Sequence, residues 1–207
     1  MTLPIKFPYG MRDFYALRME EYLYLDRTDR IPLLEQAGKE VIFLRPRRFG
    51  KSLLLSMLEN YYSVTKAADF ERLFGDLAIG RNPTPLHNQY LVMKWDFSAI
   101  RSQGSVQIIE QAFYNYLNER IRNFAINHRH LLPVEILLNP TDAMASFQSL
   151  LTAVQQTPYQ LYLFIDEYDN FANEVMMAYG NESQERYDAL VSGDGLLKTV
   201  FKNIKGA

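Results

Sequence analysis

The sequence predicts an α/β fold in which a parallel β-sheet lies between helical layers, and three observations carry that expectation. An apolar run, Val41-Ile-Phe-Leu44, opens through a basic turn into Gly50-Lys51-Ser52 and a leucine-rich stretch. A second run, Leu161-Tyr-Leu-Phe-Ile165, ends in Asp166-Glu167. A third, Tyr90 to Phe97, is rich in β-forming residues and carries Asp96 near its end. Near-continuous apolar runs mark strands buried on both faces, and ligands bind at the carboxyl ends of such strands.

Taken in order, Pro4, Pro8 and Gly10 make the start irregular before a helix near Met11 to Glu21. A second helix is expected from Arg30 to Ala37, closed by Gly38. The strand at Val41 to Leu44 follows, then a helix from Ser52 to Tyr62 whose leucines and Met57 suit packing on the sheet. Phe70 to Gly80 reads as a turn-rich connection and Arg81 to Pro85 as a loop. After the strand at 90–97, Ser105 to His130 has helical periodicity through Ile108, Ile109, Phe113, Leu117 and Ile121. A helix from Thr141 to Gln155, capped by Thr141 or a neighbour, leads through Pro158 to the strand at 161–165. The last helix spans Glu182 to Ile204, bent at Ser192-Gly-Asp-Gly195. Residues 1–38 form a helical and irregular lead-in to a core at 39–207.

The chemistry concentrates at two places. Strand, loop, helix with Gly-Lys-Ser at the helix start is the arrangement of a phosphate-binding loop (Walker A). Backbone N–H groups wrap phosphates, the lysine reaches terminal oxygens and the hydroxyl binds Mg²⁺. The loop residues are Arg45, Pro46, Arg47, Arg48, Phe49, Gly50, Lys51, Ser52 and Leu53. Arg45 stands where the pattern has its first glycine, so an arginine replaces a residue chosen for close backbone approach. The pair Asp166-Glu167 after an apolar strand has the form of a Walker B element. Asp166 suits Mg²⁺ and Glu167 suits polarisation of an attacking water, while alone the pair reads equally as a loop start or helix cap.

Composition bounds the remaining classes. The chain has 207 residues, is 48% hydrophobic, carries a formal net charge of −2 and contains no cysteine. Disulfide frameworks, thiol nucleophiles and Cys-ligated zinc are excluded, and a cytoplasmic setting fits. No apolar run approaches ~18 residues, so no membrane span is expected. Near-neutral charge argues against non-specific coating of nucleic acid.

Five stretches occur in the order seen in the AAA-ATPase-like family of bacterial and archaeal proteins. They are Tyr24-Leu-Asp-Arg-Thr28, Arg45-Pro-Arg-Arg-Phe-Gly-Lys-Ser-Leu-Leu-Leu-Ser56, Leu73-Phe-Gly-Asp-Leu-Ala-Ile79, Asp96-Phe-Ser98 and Ile165-Asp-Glu-Tyr-Asp169. The chain resembles that family from residue 3 to about 170, and arginine at the first glycine position is the family's habit. The resemblance implies a P-loop NTPase three-layer sandwich that binds ATP with Mg²⁺ and hydrolyses it. A restriction-endonuclease-like nuclease domain usually follows, and none of its residues are present. The related sheet order, 5-1-4-3-2, leaves strands 4 and 5 to be encoded after residue 207. The expectation is therefore a shortened core, or one whose missing strands come from another copy. Two other readings stay open: a nucleotide-gated module with negligible turnover, and an inert fragment. Homo-oligomerisation or an associated nuclease domain would supply the partners, and an arginine finger would come from elsewhere or from a neighbouring subunit.

Other polar residues have paired readings. Arg45, Arg47 and Arg48 either clamp phosphate oxygens, stay solvated, or touch a nucleic-acid backbone. Asp26 and Thr28 either line a base pocket or cap the next helix. Asp96 faces the site or makes a strand-end turn with Ser98, and Asp169 orients Arg47 or Arg48 or serves a helix N-terminus. His87, His128 and His130 lack metal-site spacing, and the last two are expected at the surface. Most of the 14 tyrosines and 13 phenylalanines lie at core-forming positions; Tyr114 and Tyr116 do not form a nucleic-acid stacking pattern.

Overall fold

A computed structural model describes residues 5–46, 48–177, 190 and 196–205. The chain divides into two compact units, Met1–Val92 and Met93–Ala207.

In the first unit, α1 (Phe14–Met19) starts where Asp13, in extended conformation, accepts the Ala16 N–H. It is shorter than the stretch 11–21 expected for it. The Phe14 N–H donates to Ser56 Oγ at 2.9 Å, which fixes α1 on α3 (Lys51–Tyr62). Phe14 stacks on Phe74 with ring centroids 5.1 Å apart, and Tyr61 meets Phe74 edge-on at 5.5 Å. Burying each such ring contributes about 1.5–3 kcal/mol. Between them a 3₁₀ turn, Thr28–Arg30, runs into α2 (Ile31–Gln36), with Pro32 in the first turn, where its missing N–H costs nothing.

The connection expected to be all turns is largely helical. A 3₁₀ stretch, Val64–Asp69, leads to α4 (Phe70–Phe74) and α5 (Ala78–Arg81). Leu73, Phe74, Leu77 and Ile79 are all buried, and that tertiary burial outweighs the breaking tendency of Gly75 and Gly80. Gly80 is required by close approach, because a Cβ there would lie 1.9 Å from the Phe74 carbonyl oxygen. α3 was expected on the sheet; its partner in this unit is α1, and Leu53 to Leu55 stay half-buried.

β1 (Tyr90–Asp96), which starts at the end of the first unit and runs into the second, and β2 (Gln160–Asp166) are parallel neighbours. α6 (Val106–Asn127) is capped by Ser105 and buries Ile109, Phe113, Leu117, Ile121 and Phe124 at helical spacing, while Ile108 turns outward. α7 (Ala143–Gln155) packs on α6 and β2. Asp142 caps it, accepting the Met144 and Ala145 N–H groups, whereas the Thr141 hydroxyl donates to Asn139. α8 (Tyr168–Met176) follows β2 directly. Trp95, Phe97, Phe113, Phe147 and Phe171 form the aromatic core. Of the last expected helix, residues 196–205 are helical, as α9 (Leu196–Lys205); 182–189 and 191–195 lie outside the described residues.

The strand expected at Val41 to Leu44 is not formed. These residues have no regular structure and pair with no strand among the described residues, and Val41, Ile42 and Leu44 are 45%, 75% and 79% exposed. A strand needs a neighbour for its N–H and C=O ladder and a covering layer for its side chains, and sequence pattern alone provides neither. The α/β class therefore holds, with a parallel sheet of two strands among the described residues in place of the expected fuller sheet.

Candidate functional site

The loop that precedes α3 lies in the first unit. Gly50 takes the N-cap position with φ 77° and ψ 20°, and no side chain caps the helix. Arg48 is left-handed as well, at φ 67°, and a turn joins the Phe49 N–H to the Pro46 carbonyl at 3.4 Å. The first helical bond runs from Leu54 N–H to the Gly50 carbonyl at 2.9 Å. The N–H groups of Lys51, Ser52 and Leu53 therefore have no acceptor inside the helix. The uncapped start of a helix carries partial positive charge on these N–H groups. Lys51 opens this helix and Ser52 follows; both are half-buried, while residues 41–46 and 48–50 are exposed. The Arg45 guanidinium sits over the Phe43 ring, 5.2 Å from its centroid. Arg47 lies outside the described residues. Sequence reasoning missed the Phe43 contact, although the i, i+2 spacing on an extended chain could have shown it.

The acidic pair lies in the second unit. Asp166 ends β2 and is 5% exposed; its Oδ1 accepts the Glu167 N–H at 3.1 Å. Glu167 is left-handed, at φ 56° and ψ 25°, and forms the N-cap of α8, its carbonyl accepting the Phe171 N–H. Asp169 stands exposed in the first turn of α8, where a negative charge is favoured by the helix dipole.

Asp26 and Thr28 are engaged in holding the first unit together. Asp26 accepts the Thr28 N–H and hydroxyl and the Ala78 N–H, and Thr28 Oγ1 accepts the Ile79 N–H. Burial pushes the Asp26 carboxyl up. The hydrogen bonds from Thr28 and Ala78, with the nearby Arg18 charge, outweigh that and hold it below its ordinary value. Asp96 makes the strand-end turn, accepting the Ser98 N–H and hydroxyl. His87 Nδ1 bonds the Thr84 carbonyl.

His128 is not at the surface: it is 5% exposed, its Nδ1–H donates to the Phe124 carbonyl, and its ring lies 4.3 Å from that of Phe124. It sits just past the end of α6, so the alternation expected for a continuing helix does not apply. Among the described residues no group of His, Asp and Glu side chains gathers as a metal site. The second unit also carries a cavity of about 640 Å³ lined by Gln107, Glu110, Tyr114, Thr141 and Asp142, which no sequence pattern signalled. Burial, with the charges of Glu110 and Asp142, pushes the Tyr114 hydroxyl up.

With this geometry established, the family comparison is decisive. A family model described as predicted AAA-ATPase matches residues 8–207. The chain belongs to this family. No curated protein and no solved structure matches it significantly. Membership in the AAA-ATPase-like family points to nucleotide binding and to ATPase activity as the associated chemistry. Among the described residues of this AAA-ATPase-like chain, no helix is long and apolar enough to cross a membrane.

Proposed function

We infer that the chain binds ATP with Mg²⁺ and that ATP hydrolysis is the associated chemistry. The observation that carries this reading is the uncapped N-terminus of α3, preceded by left-handed Arg48 and Gly50 and opened by Lys51. Lys51 and the backbone of residues 47–52 hold the β- and γ-phosphates, with Leu53 at the end of the anion seat. Arg45 and Arg48 add charge-assisted contacts to phosphate oxygens, with Arg47 and the turn at Pro46 and Phe49 completing the loop.

Each taken by itself, Ser52 and Asp166 carry an oxygen that would suit Mg²⁺, which when bound would neutralise phosphate charge. The residues suit a hard cation, being a hydroxyl at a helix start and a buried carboxylate whose Oδ2 accepts no hydrogen bond among the described residues. Glu167 polarises the attacking water as general base.

Calorimetry of MgATP on the 207-residue chain tests the reading, with Lys51→Ala as control. Micromolar binding that disappears in the variant supports it, and no binding by the folded chain refutes it. Glu167→Gln then separates an enzyme, which loses turnover and keeps binding, from a nucleotide-gated switch, whose small rate does not change.

A further inference from the structure

Arg120 interrupts the buried stripe of α6. Positions 109, 113, 116, 120 and 124 recur at helical spacing and fall on one face of the helix. Ile109, Phe113 and Phe124 are buried there, while Tyr116 and Arg120 are half-buried. An arginine at a core-facing position brings five N–H donors with it. Among the described residues its guanidinium joins no ion pair and meets no hydrogen-bond acceptor, and its Nε is enclosed without a partner. A donor enclosed in this way loses its hydration and gains nothing in return. The guanidinium instead lies over the Tyr116 ring, 5.4 Å from the centroid.

Tyr116 ties this pair to the end of a strand. Its hydroxyl oxygen accepts the Asp96 N–H at 2.6 Å, where β1 ends, and its own proton has no acceptor among the described residues. Burial pushes the Tyr116 hydroxyl up, opposed by the Asp96 N–H and the Arg120 charge, so it remains a donor at neutral pH. In α/β sheets ligands bind outside the carboxyl ends of the strands. A guanidinium and a hydroxyl, both with donors that lack acceptors, stand about one helical turn apart beside such an end.

We propose that Arg120 and Tyr116 form a site for a small oxyanion, phosphate or carboxylate, held by the planar guanidinium fork and the tyrosine O–H. The site shares no residue with the loop before α3 and does not depend on the ATP reading.

Inorganic phosphate is titrated calorimetrically into the full chain at constant ionic strength, in a Lys51→Ala background so that the start of α3 does not contribute. Acetate, titrated in the same way, separates a planar from a tetrahedral anion, and at least one of the two is expected to bind. Arg120→Met keeps apolar bulk and removes all five donors, and it should weaken that binding at least about tenfold. Tyr116→Phe keeps the ring, removes the hydroxyl and should weaken binding about threefold or more. No binding of either anion, or full affinity in either variant, overturns the proposal. Urea unfolding without anion supplies a second readout. Replacing an unpaired enclosed cation by an apolar side chain should leave the chain at least as stable, and that result with lost affinity supports the site. If Arg120→Met loses stability or does not fold, Arg120→Lys replaces it, keeping the charge and giving up the fork. Affinity about threefold weaker is then expected, and unchanged affinity overturns the proposal.

Discussion

Substituting Gly50 with alanine probes the left-handed cap of α3 directly. A Cβ at this position would meet nothing within 4 Å, so no side-chain clash contributes. The cost is in the backbone, because φ is 77°, and an L residue there costs about 1–2 kcal/mol. The unfolded alanine chain has fewer conformers than the glycine chain, which returns about 0.4–1 kcal/mol. The net expectation is a loss near 1 kcal/mol, measurable by urea unfolding and worth roughly 2–4 °C in a chain of this size.

If the loop escapes the strain by leaving the left-handed region, stability changes less and affinity absorbs the cost. A penalty of about 1 kcal/mol then reduces the competent fraction, and with it MgATP affinity, about fivefold. Gly80→Ala provides the steric contrast, since its Cβ would lie 1.9 Å from the Phe74 carbonyl oxygen, and it is expected to destabilise more. Gly50→Ala with wild-type stability and wild-type MgATP affinity would refute the left-handed cap.

Asp142→Ala removes the acceptor for two N–H groups at the start of α7 and is expected to cost about 1 kcal/mol in urea unfolding, with Asp142→Asn retaining most of it. Phe147→Ala opens a cavity beside Trp95, 5.5 Å away in ring centroids, and is expected to cost about 3–5 kcal/mol by the same assay. Burial pulls the His128 imidazole below its ordinary value, helped by the His130 charge and opposed by the Phe124 carbonyl. A depressed folded-state value means that the unfolded chain takes up the proton first. This contribution to stability is therefore complete above pH ~6.5 and is lost as pH falls below it. His128→Gln should flatten that part of the stability profile, and an unchanged slope would show that His128 is not buried in its neutral form.

The elements most legible in the sequence were those whose signals are local. Ser105 and a 3.6-residue apolar stripe specify α6, and apolar runs bounded by polar residues specify β1 and β2. The start of α3 after Gly50 and the end of β2 at Asp166 were legible as well, a glycine breaking the chain before the first and an acidic pair closing an apolar run at the second. Asp26 and Thr28 were not legible: whether they face a ligand or cap a helix depends on Ala78 and Ile79, about fifty residues away in sequence.

The sequence by itself determined the α/β class, the positions of the two strands and the composition of the loop before α3, since propensity, periodicity and charge act over a few residues. Tertiary structure decided the rest. Burial of Leu73, Phe74, Leu77 and Ile79 turned an apparent loop into α4 and α5, and enclosure of His128 set its protonation. The lack of a ladder partner among the described residues left Val41 to Leu44 irregular and exposed despite a strand-like composition. Helix signals are satisfied within a segment, whereas a strand's hydrogen bonds and a residue's burial come from parts of the chain that a local pattern does not contain.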